Sequence, residues 1–510
     1  MPIFTPTKRV SQRDLLPRSA RIRTILGDAA LLPFFPNRAR SCMHLPYLTL
    51  LNKFGLEIKL LRIKWFTTAF NRSLMRWGLN RSKFWSLWYN AGLISTIVLL
   101  PISIVVILKM TLNIWLYNSA SPNEKKEQVL ELMVPGVDIP YNEMGYYVLS
   151  LILCSVVHEM GHAMAAVRED VRFFGIGMIL FFVVPVAFVH ISDEQLIMLP
   201  VKNRLRILCA GVWHNIVFAG FAIVLIGAIT AFFSPFFMTN AGVFIKDISP
   251  KSPLLGPSGL LSGDVVHRIN DCYVKNSTHW RTCILQATQA PTPGYCVTDK
   301  MVKEIDKSFL APDKNNGVYN CCDQHNVEKG YLCFEHLEGF DIQTPKAAMH
   351  FCLPTRAIVE SSHNLCQNND QCFTLNDLCV RPVLGNRTKI VQIQRYGHKD
   401  VLFFGHPSEI YYTVELTDWV PKFSFLNPNF PEALILLCKY IAVFSSGLAV
   451  INVVPCFYFD GQHIAALLTE TLLRNKIQQQ SARSMITLAI TTTFTLLLGF
   501  NLINMYLHKM

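Results

Sequence analysis

The sequence is short of polar surface. With 51% hydrophobic residues and a mean hydropathy of +0.30, its 510 residues are too apolar for an ordinary soluble enzyme, and a polytopic membrane protein is the fitting class. Its 15 cysteines contain no paired C-x-x-C, which argues against a structural zinc cluster. Residues 1–45 lack a sustained apolar run and are almost without acid, so they do not read as a secretory signal peptide. A disordered cytosolic leader, a targeting extension and an artefact of gene annotation all stay open for them. Two matching halves, which a transporter built from internal repeats tends to show, are not visible either.

What is present is ordered along the chain. The net charge of +12 comes from a basic N-terminal region, 1–85, and from short links between apolar runs. The leader alone holds Lys8, Arg9, Arg13, Arg18, Arg21, Arg23, Arg38 and Arg40, a distribution that suits the positive-inside rule better than nucleic-acid binding. Runs long enough to cross a bilayer are Leu93–Leu108, Tyr146–Val167, Ile207–Phe233, Leu434–Val454 and Met485–Tyr506. They define a first transmembrane region at 86–117, a membrane core at 146–236 and a C-terminal membrane core at 434–510. The shorter run Phe173–Val189 contains Gly175, Gly177 and Pro185 among β-branched and aromatic residues, and is expected to be a re-entrant strand pair shielded by protein. Pro101 leaves one alternative for the first region, in which Trp85–Tyr117 folds into a hairpin and the N-terminus changes sides.

The polar stretch 241–430 is different in kind. Ten cysteines fall between Cys272 and Cys379, an even number that suits an oxidised extracytosolic domain with five disulfides of unknown pairing. Two sequons, at Asn276 and Asn386, flank it and are glycan acceptors if the stretch is luminal. A cytosolic N-terminus and a non-spanning Phe173–Val189 put it there. The same count places Lys202, Arg204, Arg206, Arg474, Lys476 and Arg483 on the cytosolic side.

The run YYVLSLILCSVVHEMGHAMAAV carries two histidines and a glutamate at bilayer depth. A central carboxylate costs at least ~2.5 kcal/mol there, so such a cluster marks a functional site. His158 and His162 lie four apart, on one helix face, where both imidazoles reach one metal ion. Glu159, one step round the helix, can take a proton from the attacking water. A third ligand is expected from INVVPCFYFDGQH, where Asp460 is the one carboxylate, Asn452 and Pro455 interrupt the helix, and Gly461 lets the backbone turn. Parity puts Asp460 at the same side and depth as the histidines. Asn215, in LCAGVWHNIVF, is a candidate for binding substrate backbone or the oxyanion, with a packing amide as the equal alternative; Ala210 and Gly211 before it permit close helix approach. Asn452 is a second candidate for the same role.

HEMGH, AGVWHN and NVVPCFYFDG, in that order, resemble the site-2 protease family of intramembrane metalloproteases over about residues 50–510. The stretch from GVFIKDISPKSPL through GLLSGDVVHRIND looks like a PDZ-type module, extended by cysteine-rich sequence as in the family's animal branch. The resemblance implies a polytopic α-helical membrane protein with an intramembrane HExxH zinc site and an inserted luminal PDZ-like, cysteine-rich domain. It implies one Zn2+ per chain on His158, His162 and Asp460, with Glu159 as base. Implied partners are membrane lipid and single-pass or hairpin membrane-anchored transcription factors, first shortened by a luminal site-1 protease, in the Golgi or ER membrane; no nucleic acid is bound directly. Such substrates resemble sterol regulatory element-binding proteins and stress-sensing factors. The chain departs from its animal relatives in its basic leader, where they open on a hydrophobic segment, and in Phe459, where the family has an aliphatic residue. The rival reading is an intramembrane zinc-binding transporter or receptor, which would have no need of Glu159.

Overall fold

The computed structural model describes residues 51–117, 138–337 and 349–509, apart from breaks at 52, 60–61, 81, 182–183, 257, 310–312, 316–317, 363, 373–375 and 386. The basic leader and the sequon residue Asn386 lie outside the described residues. Five helices among those described are long and apolar enough to cross a membrane. They are α1 (Ser82–Tyr117), α2 (Met144–Arg168), α3 (Val201–Phe233), α4 (Asn429–Val453) and, beyond the short helix α5 (Asp460–Leu473), α6 (Gln480–Lys509). Pro101 lies inside α1 without ending it, so the hairpin alternative for Trp85–Tyr117 is not what the chain does.

The Phe173–Val189 run is a strand pair, as its glycines and β-branched residues suggested. Strands β3 (Phe173–Phe181) and β4 (Val184–Ile191) pair antiparallel, and β3 also pairs with β2 (Arg62–Thr67), which turns back on β1 (Leu56–Lys59). The resulting order, β1-β2-β3-β4, leaves β4 as an end strand. The glycines of β3 make room for aromatic rings: a Cβ on Gly177 would lie 2.3 Å from the Phe188 ring and 2.5 Å from the Trp65 carbonyl.

Close approach governs the helix bundle. A Cβ on Gly161 of α2 would meet the Ala210 carbonyl of α3 at 2.8 Å, so the two helices cross with their backbones nearly touching. Ala165, one turn on from Gly161, continues that flat face, and Ala163 and Ala166 are buried on other sides of the same helix. At one end of the crossing, Arg206 of α3 donates to Asn90 of α1 at 2.8 and 3.0 Å and to Glu169 at 3.0 Å, tying three helices with one guanidinium. At the other, Tyr440 of α4 donates to Glu143 at 2.6 Å.

Between α3 and α4 the chain builds two large antiparallel sheets with separate cores, besides two small two-stranded ones. One is six-stranded, running Val401–Gly405, Lys389–Arg395, Val265–Ile269, Val243–Ile248 and Val414–Thr417, with Cys272–Tyr273 beside Val265–Ile269; helix Ser277–Gln289 packs on it through Trp280, Cys283 and Ile284. The other is five-stranded, running His350–Pro354, Tyr331–His336, Asp377–Pro382, Gly294–Thr298 and Leu365–Cys366, over a core with Phe334, Leu353 and Ile358. All ten cysteines of this region are paired: Cys272–Cys283, Cys296–Cys372, Cys321–Cys333, Cys322–Cys352 and Cys366–Cys379. Cys296, Cys366 and Cys372 lie close enough together to hold a metal, but their sulfurs are spent on disulfides.

Candidate metal centre

A helix places residues four apart on one face, and α2 does this with His158 and His162, each 7% exposed. Their Nε2 atoms stand 3.2 Å apart. Asp460, 298 residues further along the chain than His162, brings Oδ2 to 3.1 Å from both. Three lone-pair atoms thus form a nearly equilateral triangle. Tetrahedral zinc with bonds of about 2.0–2.1 Å spaces its donors roughly 3.3 Å apart, so the triangle fits that ion.

The far side of each imidazole is held as a ligand's should be. His162 Nδ1 lies 2.8 Å from the Ile207 carbonyl; a carbonyl only accepts, so the ring proton sits on Nδ1 and the lone pair of Nε2 faces the triangle. His158 Nδ1 lies 3.2 Å from the amide nitrogen of the fully buried Asn215, whose Oδ1 has no partner. With that amide turned over, Oδ1 accepts from His158 Nδ1–H, and the lone pair of His158 Nε2 also faces the triangle. Ser445 of α4 donates to the Asn215 carbonyl at 2.9 Å, fixing the backbone that carries the amide.

Room for the rings comes from Gly211. A Cβ there would fall 2.3 Å from His162 Nε2 and 2.7 Å from His158 Nε2, hard against both donor nitrogens. Sequence reasoning assigned this glycine to helix packing; the imidazoles are the tighter constraint. Gly461 also has a different reason from the expected one. The chain does not turn after Asp460, because α5 begins there, and a Cβ on Gly461 would collide with the Val453 and Val454 carbonyls at 2.4 and 2.1 Å.

Pro455 follows the end of α4, and the link to Asp460 is pinned at two points. Phe457 N–H donates to Thr495 of α6 at 3.0 Å, and Tyr458 N–H donates to Gln462 at 3.2 Å. Tyr458 takes φ +72, a strained conformation for a non-glycine residue two positions from a candidate ligand. Glu159 is part-buried, and its Oε2 accepts from Val189 N–H of β4 at 3.0 Å. Asn452, half-buried in the last turn of α4, ends the helix that leads into the link. Residue types gave no warning of the Ile207 carbonyl or the Val189 amide, since backbone groups are the same in every residue.

The family pattern of Peptidase family M50 matches residues 146–498, which spans the histidine pair, the inserted sheets and Asp460. This chain belongs to peptidase family M50. An M50 peptidase of this architecture is a multi-pass membrane protein, a zinc metalloprotease, and acts on membrane-embedded substrates. Among similar proteins is one from Arabidopsis thaliana named as a membrane-bound transcription factor site-2 protease homolog. It is 23% identical over 437 residues, covering 78% of this chain and 82% of that protein.

Proposed function

We propose that this M50 peptidase holds one zinc ion per chain on His158, His162 and Asp460 and uses Glu159 as general base. Its proposed substrates are membrane-anchored transcription factors, single-pass or hairpin, cut in their transmembrane segments after a luminal site-1 protease has shortened them. The observation that carries the reading is the donor triangle, 3.1–3.2 Å on each side, assembled from one helix and the start of a second. The name of the Arabidopsis relative supports the substrate class.

Bound zinc supplies Lewis acidity, lowering the pKa of water to about 7 and polarising the scissile carbonyl. The chain's own residues do the rest. Ile207 and Asn215 orient the imidazoles through their far nitrogens. Glu159 takes the proton from the attacking water and returns it to the leaving amide nitrogen. The substrate helix must unwind locally, because its hydrogen-bonded backbone otherwise hides the carbonyl. Asn215, buried and engaged with His158, is better placed to orient the ligand than to grip substrate; Asn452 keeps the proposed role toward substrate backbone.

The domain plan follows the same reading: a basic region at 1–85, the first span at 86–117, a catalytic core at 146–236, a luminal PDZ-like and cysteine-rich insertion at 241–430, and a closing core at 434–510. Five disulfides support an oxidising compartment for the insertion, consistent with the Golgi or ER membrane and with roles in sterol and ER-stress signalling. Asn276 caps helix Ser277–Gln289, with its Oδ1 accepting from His279 N–H at 2.9 Å, which leaves Nδ2 for a glycan. The decisive experiment is Glu159→Gln. A protease keeps its metal and loses at least ~10²-fold in cleavage, with substrate accumulating uncut. Cleavage at the normal rate would reject Glu159 as the base, whereas wild-type protein that binds zinc and cuts nothing would return the site to a zinc transporter or receptor.

A further inference from the structure

Ser155 and Glu159 stand four apart on α2 and so project from one face. Ala187 and Val189 stand two apart on β4 and so aim their N–H groups at one edge. One helical step of four residues rises about 6 Å, and two strand residues about 6.7 Å. The two repeats nearly match, so side chains one turn apart can meet successive edge donors of a strand laid alongside. They do: Ala187 N–H donates to Ser155 Oγ at 2.8 Å, and Val189 N–H to Glu159 Oε2 at 3.0 Å.

The edge concerned is the open rim of the sheet, since β4 bonds to β3 on its other side. Pro185, two residues before Ala187 on the same rim, has no N–H to leave unpaired. A slip of one residue would turn the Ala187 and Val189 donors toward β3. One Glu159 oxygen is thereby committed to a backbone donor while the other stays available for proton transfer. A carboxylate without that donor samples several rotamers.

We infer that β4 is the positioning element of the general base: the Val189 amide aims Glu159, and Ser155 sets the strand's register on α2. The inference rests on the protease reading above. Its test uses the full-length protein in proteoliposomes with a single-span reporter. Val189 is replaced by the α-hydroxy acid of valine, which turns one amide into an ester and removes only the N–H; Ser155→Ala and Ser155→Thr are made alongside. The ester is expected to lower kcat about 10- to 100-fold, the range for outer partners of a metal site, with KM within about twofold and metal content unchanged. Ser155→Ala should lower kcat by less, and Ser155→Thr should restore it.

Unchanged kcat in the ester protein overturns the inference. So does a raised KM at constant kcat, which would make the rim a grip on substrate, or a loss of metal, which would make the contact a matter of site folding. Wild-type protein that binds zinc and cuts no membrane segment overturns the protease reading and this inference with it; that failure appears in the wild type and is separable from the others.

Discussion

The membrane bundle and the inserted sheets hold their shapes by opposite means. In the insertion every cysteine is cross-linked, and two apolar cores lie under the sheets. In the bundle Cys154, Cys209, Cys438 and Cys456 are buried and unlinked, and the helices are set by missing side chains and single hydrogen bonds. Lipid offers no hydrophobic drive between helices, so fit and polar contacts must do the work. The insertion should therefore tolerate a changed atom in its core better than the bundle tolerates one added at a crossing.

The largest expected effect comes from adding one methyl group. Gly211→Ala presses on both donor nitrogens and should remove bound zinc and at least ~10²-fold of activity, as Asp460→Ala should by deleting a donor. Metal analysis and reporter cleavage measure this, and full metal occupancy in Gly211→Ala would show that the crossing yields where we say it cannot. Next in size is the pair Cys296→Ser with Cys372→Ser. It should cost the insertion about 2–5 kcal/mol while the bundle keeps its zinc. Limited proteolysis of the insertion, read beside metal content, decides it; loss of zinc would mean the two regions do not fold independently.

A smaller effect is expected for Asn215→Leu. Losing the partner of His158 should weaken zinc binding about 10- to 100-fold, seen as a lower chelator concentration for inactivation. The outcome that counts against the assignment is a rise in KM with metal affinity intact, since that would give Asn215 to substrate. Smallest of all is Lys246→Met. Its half-exposed pair with Glu432, at 3.2 Å, ties the insertion to the first turn of α4, and pairs of this kind contribute no more than about 1 kcal/mol. Thermal unfolding should barely move, and a large shift would reveal a stronger coupling between the regions.

What could be read from the sequence follows the same division. The five spans and the strand pair were legible because apolar length and β-branched composition are local properties. That His158 and His162 share a face was legible because a helix turns spacing into direction, and Asp460 stood out as a partner for them because a carboxylate near bilayer depth needs a reason. The pairing of Cys322 with Cys352 was not legible, since spacing says nothing about which loops meet. Nor was the joining of β3 to β2, which depends on a contact between Trp65 and Met178 across more than a hundred residues. Gly461 was read for flexibility when its reason is crowding by two carbonyls, a fact that exists only after folding.

The 298 residues between His162 and Asp460 also set a schedule. At roughly 5–20 residues per second, a ribosome needs about 15–60 s to travel from one to the other. For that interval the nascent chain holds two histidines and a glutamate in its second long apolar helix without Asp460, and so without the third corner of the donor triangle. On the proposed ligand set, a chain stalled anywhere in the insertion is an unfinished peptidase, inert toward the membrane proteins around it.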